Sequence, residues 1–177
     1  MAGIQYVMGT AGINPGRPFA EPGALQEVFD ALDEAGCSKL DTAALYGKSE
    51  EILGQENAGK RFTIDTKHKG GFAGSGYATK ENIVAEAKNS RETLGTTVDV
   101  FYIHAPDGDT PLENTLEGIN EVYKSGFFKR FGLSNYKAED VERVYNHCKE
   151  KGYPLPSVYQ GWQYNNISAV ASRANLE

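Results

Sequence analysis

Residues 98–136 read VDVFYIHAPDGDTPLENTLEGINEVYKSGFFKRFGLSNY, a strand, a helix and a second strand in succession. Val98, Val100, Phe101, Tyr102 and Ile103 make a short β-rich run closed off by Pro106 and Gly108, as a buried strand requires. From 111 to 125 the period changes. Leu112, Leu116, Ile119 and Tyr123 recur at three- and four-residue steps, which places them on one face of a helix. Thr110 reads as the N-cap, Pro111 suits the first turn, and Gly126 can adopt the left-handed conformation that ends a helix. A second β-rich run then follows at 128–134. A strand that reaches the next strand through a helix is a parallel crossover.

Outward from this unit the same alternation fills the chain. Strands are predicted at 4–8, 39–41, 63–67, 98–104, 128–134 and 157–160, with five helices between them. Leu25, Val28, Phe29 and Leu32 give the first helix its apolar stripe, and Val141, Val144, Tyr145 and Cys148 do so for the fifth. Helix three is predicted over 79–94, with Thr79 as N-cap, Ile83, Ala87 and Leu94 on one side, and Gly95 at its end; helix two, near 49–57, is short. No linker, repeat or low-complexity tract interrupts the pattern, so residues 1–177 are expected to form a single domain. A net charge of −6 with scattered Lys and Arg argues against nucleic acid as a partner. Cys37 and Cys148 belong to no CxxC or Cys/His cluster and read as reduced thiols. The start lacks the basic flank of a signal peptide, and no eighteen-residue apolar run occurs, so the expectation is a cytoplasmic protein without a membrane partner.

The polar residues fall at one end of strand after strand. Asp41 closes the second, Lys67 the third, His104 the fourth, Ser134 and Asn135 the fifth, and Gln160 the sixth. Alone, each has an ordinary reading: a turn cap, a solvated lysine, a satisfied core histidine. Together they matter, because the carboxyl ends of parallel barrel strands share one face and active sites assemble there. His68, His104 and His147 lack metal-ligand spacing, so no metal is expected. The glycines at 70, 71, 74 and 76 match neither phosphate-loop spacing and read as a mobile part of the mouth.

The segments 39–47 (KLDTAALYG), 65–67 (DTK), 102–107 (YIHAPD), 132–136 (GLSNY) and 158–160 (VYQ) together resemble successive signatures of the aldo-keto reductases, most closely their aflatoxin-aldehyde-reductase-like branch. The resemblance runs from residue 4 to about 165. It implies an α/β fold, a partial TIM (β/α)8 barrel of about six parallel strands and five helices with the last two βα units missing. It further implies NADPH-dependent reduction of an aldehyde or ketone, with Tyr46 as proton donor and Asp41, Lys67 and His104 as supporting catalytic residues. Residues matching Ser134, Asn135 and Gln160 bind the nicotinamide carboxamide in the family. Physical chemistry adds an expectation: a Lys67 ammonium roughly 4 Å from a Tyr46 phenolate, at an effective dielectric of about 20, would stabilise it by about 4 kcal/mol and lower the phenol pKa, with Asp41 cancelling part.

The resemblance also sets expectations about what is missing. Strands seven and eight, which in the family hold the nicotinamide ring and the cofactor phosphates, have no counterpart before Glu177, so the NADPH site is expected to be incomplete. The tail at 163–173 reads as longer than the family's compact turn before helix six. A six-stranded sheet leaves two strand edges unpaired, so a homo-oligomer or a complementing chain is the expected partner, besides a small-molecule carbonyl substrate. The alternative to a reductase is a catalytically silent truncated barrel acting as a binding or interaction module. A phosphosugar isomerase on the same fold is disfavoured, because such sites hold phosphate near strands seven and eight.

Overall fold

A computed structural model describes residues 4–20 and 23–161. Along the chain lie β1 (Met8–Gly9), α1 (Ala24–Glu34), β2 (Lys39–Asp41), α2 (Ser49–Gln55), β3 (Thr63–His68), α3 (Lys80–Leu94), β4 (Val98–Ile103), α4 (Leu112–Lys124), β5 (Phe128–Ser134), α5 (Ala138–Lys151) and β6 (Pro156–Gln160). All neighbouring strands pair in parallel, and the sheet order is the chain order, β1 to β6. Right-handed crossovers in sequential order put every helix on the same side of the sheet. Accordingly α2 packs on α3, α3 on α4 and α4 on α5, an outer layer around a curled half-barrel.

Strand register explains the core. Leu40 pairs with Ile64, Phe101 with Phe131 and Ile103 with Leu133, and all six are buried beneath the helices. Ile83, Ala87, Leu116, Ile119, Val144 and Cys148 meet them from the helix side. Each fully buried Val, Leu, Ile or Phe among them contributes about 1.5–3 kcal/mol relative to exposure. The alternate residues face the other way: Lys67, Tyr102, Gly132 and Val158 share one row across four strands. At Gly132 a Cβ would overlap the Cδ1 and Cε1 atoms of Tyr102, so that ring occupies the place of a missing side chain.

Three sequence expectations need correction. The first strand is only Met8–Gly9, not 4–8, and Ile4 and Tyr6 are 86% and 72% exposed. Its neighbour β2 begins at Lys39, opposite residue 7, so β2 offers the earlier residues no strand partner. Thr110 does not cap α4: its hydroxyl donates to Asp107 Oδ2 at 2.7 Å, and Pro111 takes the capping position without a side-chain bond. Helix two stops at Gln55, because Asn57 turns left-handed with φ 53°. By contrast, Thr79 caps α3, accepting from Asn82 N–H, and Gly95 ends it at φ 66°. The expected long turn at 163–173 lies outside the described residues. Among the described residues no helix is long and apolar enough to cross a membrane.

The packing of Tyr102 on Gly132 generates a test. Gly132→Ala should cost about 1–3 kcal/mol by overpacking. In denaturant unfolding, Tyr102→Ala combined with Gly132→Ala should lose less than the sum of the two single changes; strict additivity would show that the ring and the glycine do not share that space.

Candidate active site

At the carboxyl end of the sheet, Asp41, Tyr46, His104, Ser134, Asn135, Gln160 and Gly161 line an open depression of about 300 Å³. Lys67 lies in the wall beneath it, with none of its surface exposed. Strands β2 to β6 each deliver at least one of these groups, because parallel strands end on the same side. All seven residues singled out in the sequence therefore meet at one place, although Gln160 remains exposed at its rim.

Lys67 is the anchor. Its Nζ donates to Asp41 Oδ1 and Oδ2 at 2.6 Å each and to the Thr42 carbonyl at 2.9 Å. An ammonium has three protons, so all of its donors are used. Burial pushes the lysine pKa down, and Asp41 opposes that shift. The nitrogen sits 5.3 Å above the Tyr46 ring and 5.4 Å from the Tyr102 ring, attracted to their faces rather than hydrogen-bonded to a phenol.

This arrangement corrects the expected depression of the Tyr46 pKa. The phenol is pushed above its ordinary value, first by burial and then by the Asp41 carboxylate. Lys67 spends its protons elsewhere, and its paired charge is answered by Asp41 close by. What the lysine does for Tyr46 is positional: it ties the Asp41–Thr42 backbone to β3, and Ala44 N–H returns to the Lys67 carbonyl at 3.1 Å. A hydroxyl network finishes the turn. Thr42 Oγ and Ser49 Oγ are 3.0 Å apart, Ser49 donates to Thr10, and Thr10 donates to the Asp41 carbonyl.

His104 is 7% exposed and stands edge-on to two rings, Tyr46 at 5.6 Å and Phe72 at 5.1 Å between centroids. Its Nδ1 is buried without a hydrogen-bond partner among the described residues. Burial, then the Lys67 charge, lowers its pKa to about 4 against the pull of Asp41. Its carbonyl accepts from Asn135 Nδ2 at 2.8 Å, and the same amide nitrogen reaches Ser134 Oγ at 3.0 Å. Asn135 holds this position with a left-handed backbone, φ 61°.

At its start the glycine-rich loop packs directly on the 105–106 backbone. Gly70 and Gly71 lie so close to Ala105 and Pro106 that a Cβ on either would overlap backbone carbonyl oxygens. Further on, Asp107 accepts from Gly76 N–H, Ala78 N–H, Asp109 N–H and the Thr110 hydroxyl. Against the upward push of desolvation, these donors, Ala78 N–H foremost, bring its pKa to about 2. Sequence reasoning missed Thr10, Thr42, Ser49, Phe72 and Tyr102. Residue type offered no signal for the three hydroxyls; Tyr102 could have been found from its register partner Gly132. Among the described residues no three His, Cys, Asp or Glu side chains cluster so as to hold a metal ion.

With this geometry in place, comparison with known proteins is informative. A model described as "Aldo/keto reductase family" matches residues 6–176. The oxidoreductase sirO of Leptosphaeria maculans is 41% identical over 146 residues, covering 81% of this chain and 44% of that protein. Human aflatoxin B1 aldehyde reductase member 2 is 37% identical over 171 residues, covering 92% of this chain and 46% of that one. The chain thus spans less than half the length of these two relatives. Among solved structures, a thermostable aldo-keto reductase, Tm1743, crystallised with the inhibitor epalrestat, superposes with a TM-score of 0.71 at 22% identity, over 88% of this chain and 57% of that one, which shows a shared fold.

The His104 environment sets a pH dependence. A base whose folded pKa is about 4, against an ordinary 6.5, contributes stability that is fully present above pH 6.5 and is lost as pH falls towards 4. An NMR titration should find a neutral ring throughout the physiological range, and Lys67→Met should raise the His104 pKa by removing the nearby charge. A titration midpoint near 6.5 in the unaltered protein would show that the ring is solvated.

Proposed function

The chain belongs to the aldo/keto reductase family, and from that premise we propose that it is an oxidoreductase reducing an aldehyde or ketone to an alcohol with NADPH, Tyr46 donating the proton. The observation that carries this reading is the meeting of a half-buried phenol, a neutral buried imidazole and a lysine–aspartate pair at one depression. The human relative's name, an aldehyde reductase, supports aldehydes as the substrate class.

The far side of the depression fits the cofactor's carboxamide. Asn135 spends its side-chain N–H groups on His104 and Ser134, which leaves its amide oxygen as an acceptor. Ser134 offers a hydroxyl and Gln160 an exposed amide, so the set can serve both the C=O and the NH2 of a nicotinamide carboxamide. When bound, reduced nicotinamide supplies the hydride that reaches the carbonyl carbon.

The chain's own residues do the rest. His104 is neutral at physiological pH and can direct one N–H to the carbonyl oxygen, fixing its angle and stabilising charge as it develops. Tyr46 then gives its proton to that oxygen: the phenolic O–H bond breaks and the alcohol O–H bond forms. A raised phenol pKa keeps the donor protonated at neutral pH, and an alkoxide is a stronger base than a phenolate, so the transfer runs downhill. Asp41 and Lys67 hold the turn that aims the phenol.

The second reading, a silent half-barrel that binds without turnover, draws on the openness of the depression and the exposure of Gln160. We also propose association through the sheet ends, where β6 pairs on one side only among the described residues and Tyr159 is 55% exposed; a compact monomer in light scattering would count against it. For the reaction itself, Tyr46→Phe should lower carbonyl turnover by at least about 10²-fold while leaving the thermal transition intact. Unchanged turnover would reject Tyr46 as donor, and titration calorimetry without NADPH binding would favour the silent module.

A further inference from the structure

The loop from 69 to 77 leaves β3, passes beside the depression and enters α3. Both of its ends are tied to one carboxylate. Glu86, 9% exposed on α3, accepts from Lys69 N–H at 3.0 Å through Oε2. Through Oε1 it accepts from Lys69 Nζ at 2.7 Å and from the Tyr77 hydroxyl at 3.0 Å.

His68 completes the knot. Its Nδ1 accepts from Gly70 N–H at 3.0 Å, so the proton of the neutral ring must sit on Nε2, which faces Glu86 Oε2 at 3.4 Å. The fully buried ring also stacks on Tyr77 with centroids 5.5 Å apart. Carboxylate, imidazole and phenol thus span both roots of the loop.

Two features connect this knot to the depression. The His68 carbonyl accepts from His104 N–H at 2.9 Å, and Gly71 N–H donates to the Ala105 carbonyl at 3.2 Å, so the loop's first turn lies directly on the backbone of the 104–106 segment. That turn carries Phe72, 53% exposed, whose ring meets His104 edge-on. No other described aromatic except Tyr46 touches the imidazole in this way.

We propose that Glu86, His68 and Tyr77 are positioning residues for the reaction: by closing the 69–77 loop at its base they hold Phe72 against His104 and so fix the imidazole at the mouth. This assignment rests on the reductase reading for its purpose, but its geometry does not, and the two can fail separately. None of the three residues touches the depression. Their side chains reach His104 only through the loop, besides the backbone bond from His104 N–H to the His68 carbonyl.

The test reads the His104 ring directly. Tyr77→Phe removes one hydroxyl from the knot and keeps the stacked ring; Glu86→Gln removes the charge that gathers the loop. In NMR spectra of the folded proteins, both variants should shift the His104 ring resonances and weaken the nuclear Overhauser contact between Phe72 and His104, while His147 on α5 stays unchanged as an internal control. Loss of stability alone would not move native-state resonances, so a merely structural role predicts no change. If His104 and its contact to Phe72 are unaltered in Tyr77→Phe, and in Glu86→Gln wherever that protein folds, the proposal is overturned. Whether Tyr46→Phe abolishes turnover decides the reductase reading independently.

Discussion

A single buried ammonium organises this half-barrel's working end. Lys67 has no exposed surface, yet its three protons meet three oxygens, two on Asp41 and one on the Thr42 backbone. Removing such a charge from water is costly, and only complete pairing with good geometry offsets it. The consequence is mechanical as well as electrostatic: the end of β2 is bolted to β3, and the turn to Tyr46 leaves from that bolt. Everything proposed for the phenol depends on where this turn points.

The pair also reverses a simple electrostatic expectation. A lysine near a tyrosine suggests a depressed phenol pKa, but a lysine already saturated by a carboxylate brings that carboxylate with it. Tyr46 feels burial and a neighbouring negative charge, and its pKa rises. His104 moves the other way for the same reason of burial, helped by the lysine charge. Both groups thus stand in their neutral forms at ordinary pH, one as a protonated phenol and one as an imidazole with a single N–H. The proposed carbonyl reduction calls for donors of this kind.

Around the bolt, the sheet sorts its residues by parity. One face of each strand sends Leu40, Ile64, Phe101 and Phe131 under the helices, while the other sends Asp41, Lys67 and Tyr102 inward. Close packing then reaches the backbone itself. Gly132 has no side chain because Tyr102 lies there, and Gly70 and Gly71 have none because Ala105 and Pro106 do. Segments read separately as strand, loop and motif prove to be mutually moulded surfaces.

The sequence by itself determined the number, order and type of the elements, since period-two and period-3.6 patterns and the Thr79 and Gly95 signals act within a few residues. It also picked out Asp41, Lys67, His104, Ser134, Asn135 and Gln160, because each ends or directly follows a strand and parallel strands end together, whereas Tyr46 was singled out only by the family resemblance of its segment. The tertiary structure alone decided where β1 begins, since residues 4–7 need a neighbour that β2 does not supply. It alone decided that Thr110 serves Asp107 rather than α4, and that Lys67 binds oxygens rather than a phenol. Those outcomes turn on which of several available partners lies within about 3 Å. Such distances arise from strand register and loop contact across tens of residues, a scale on which local pattern carries no information.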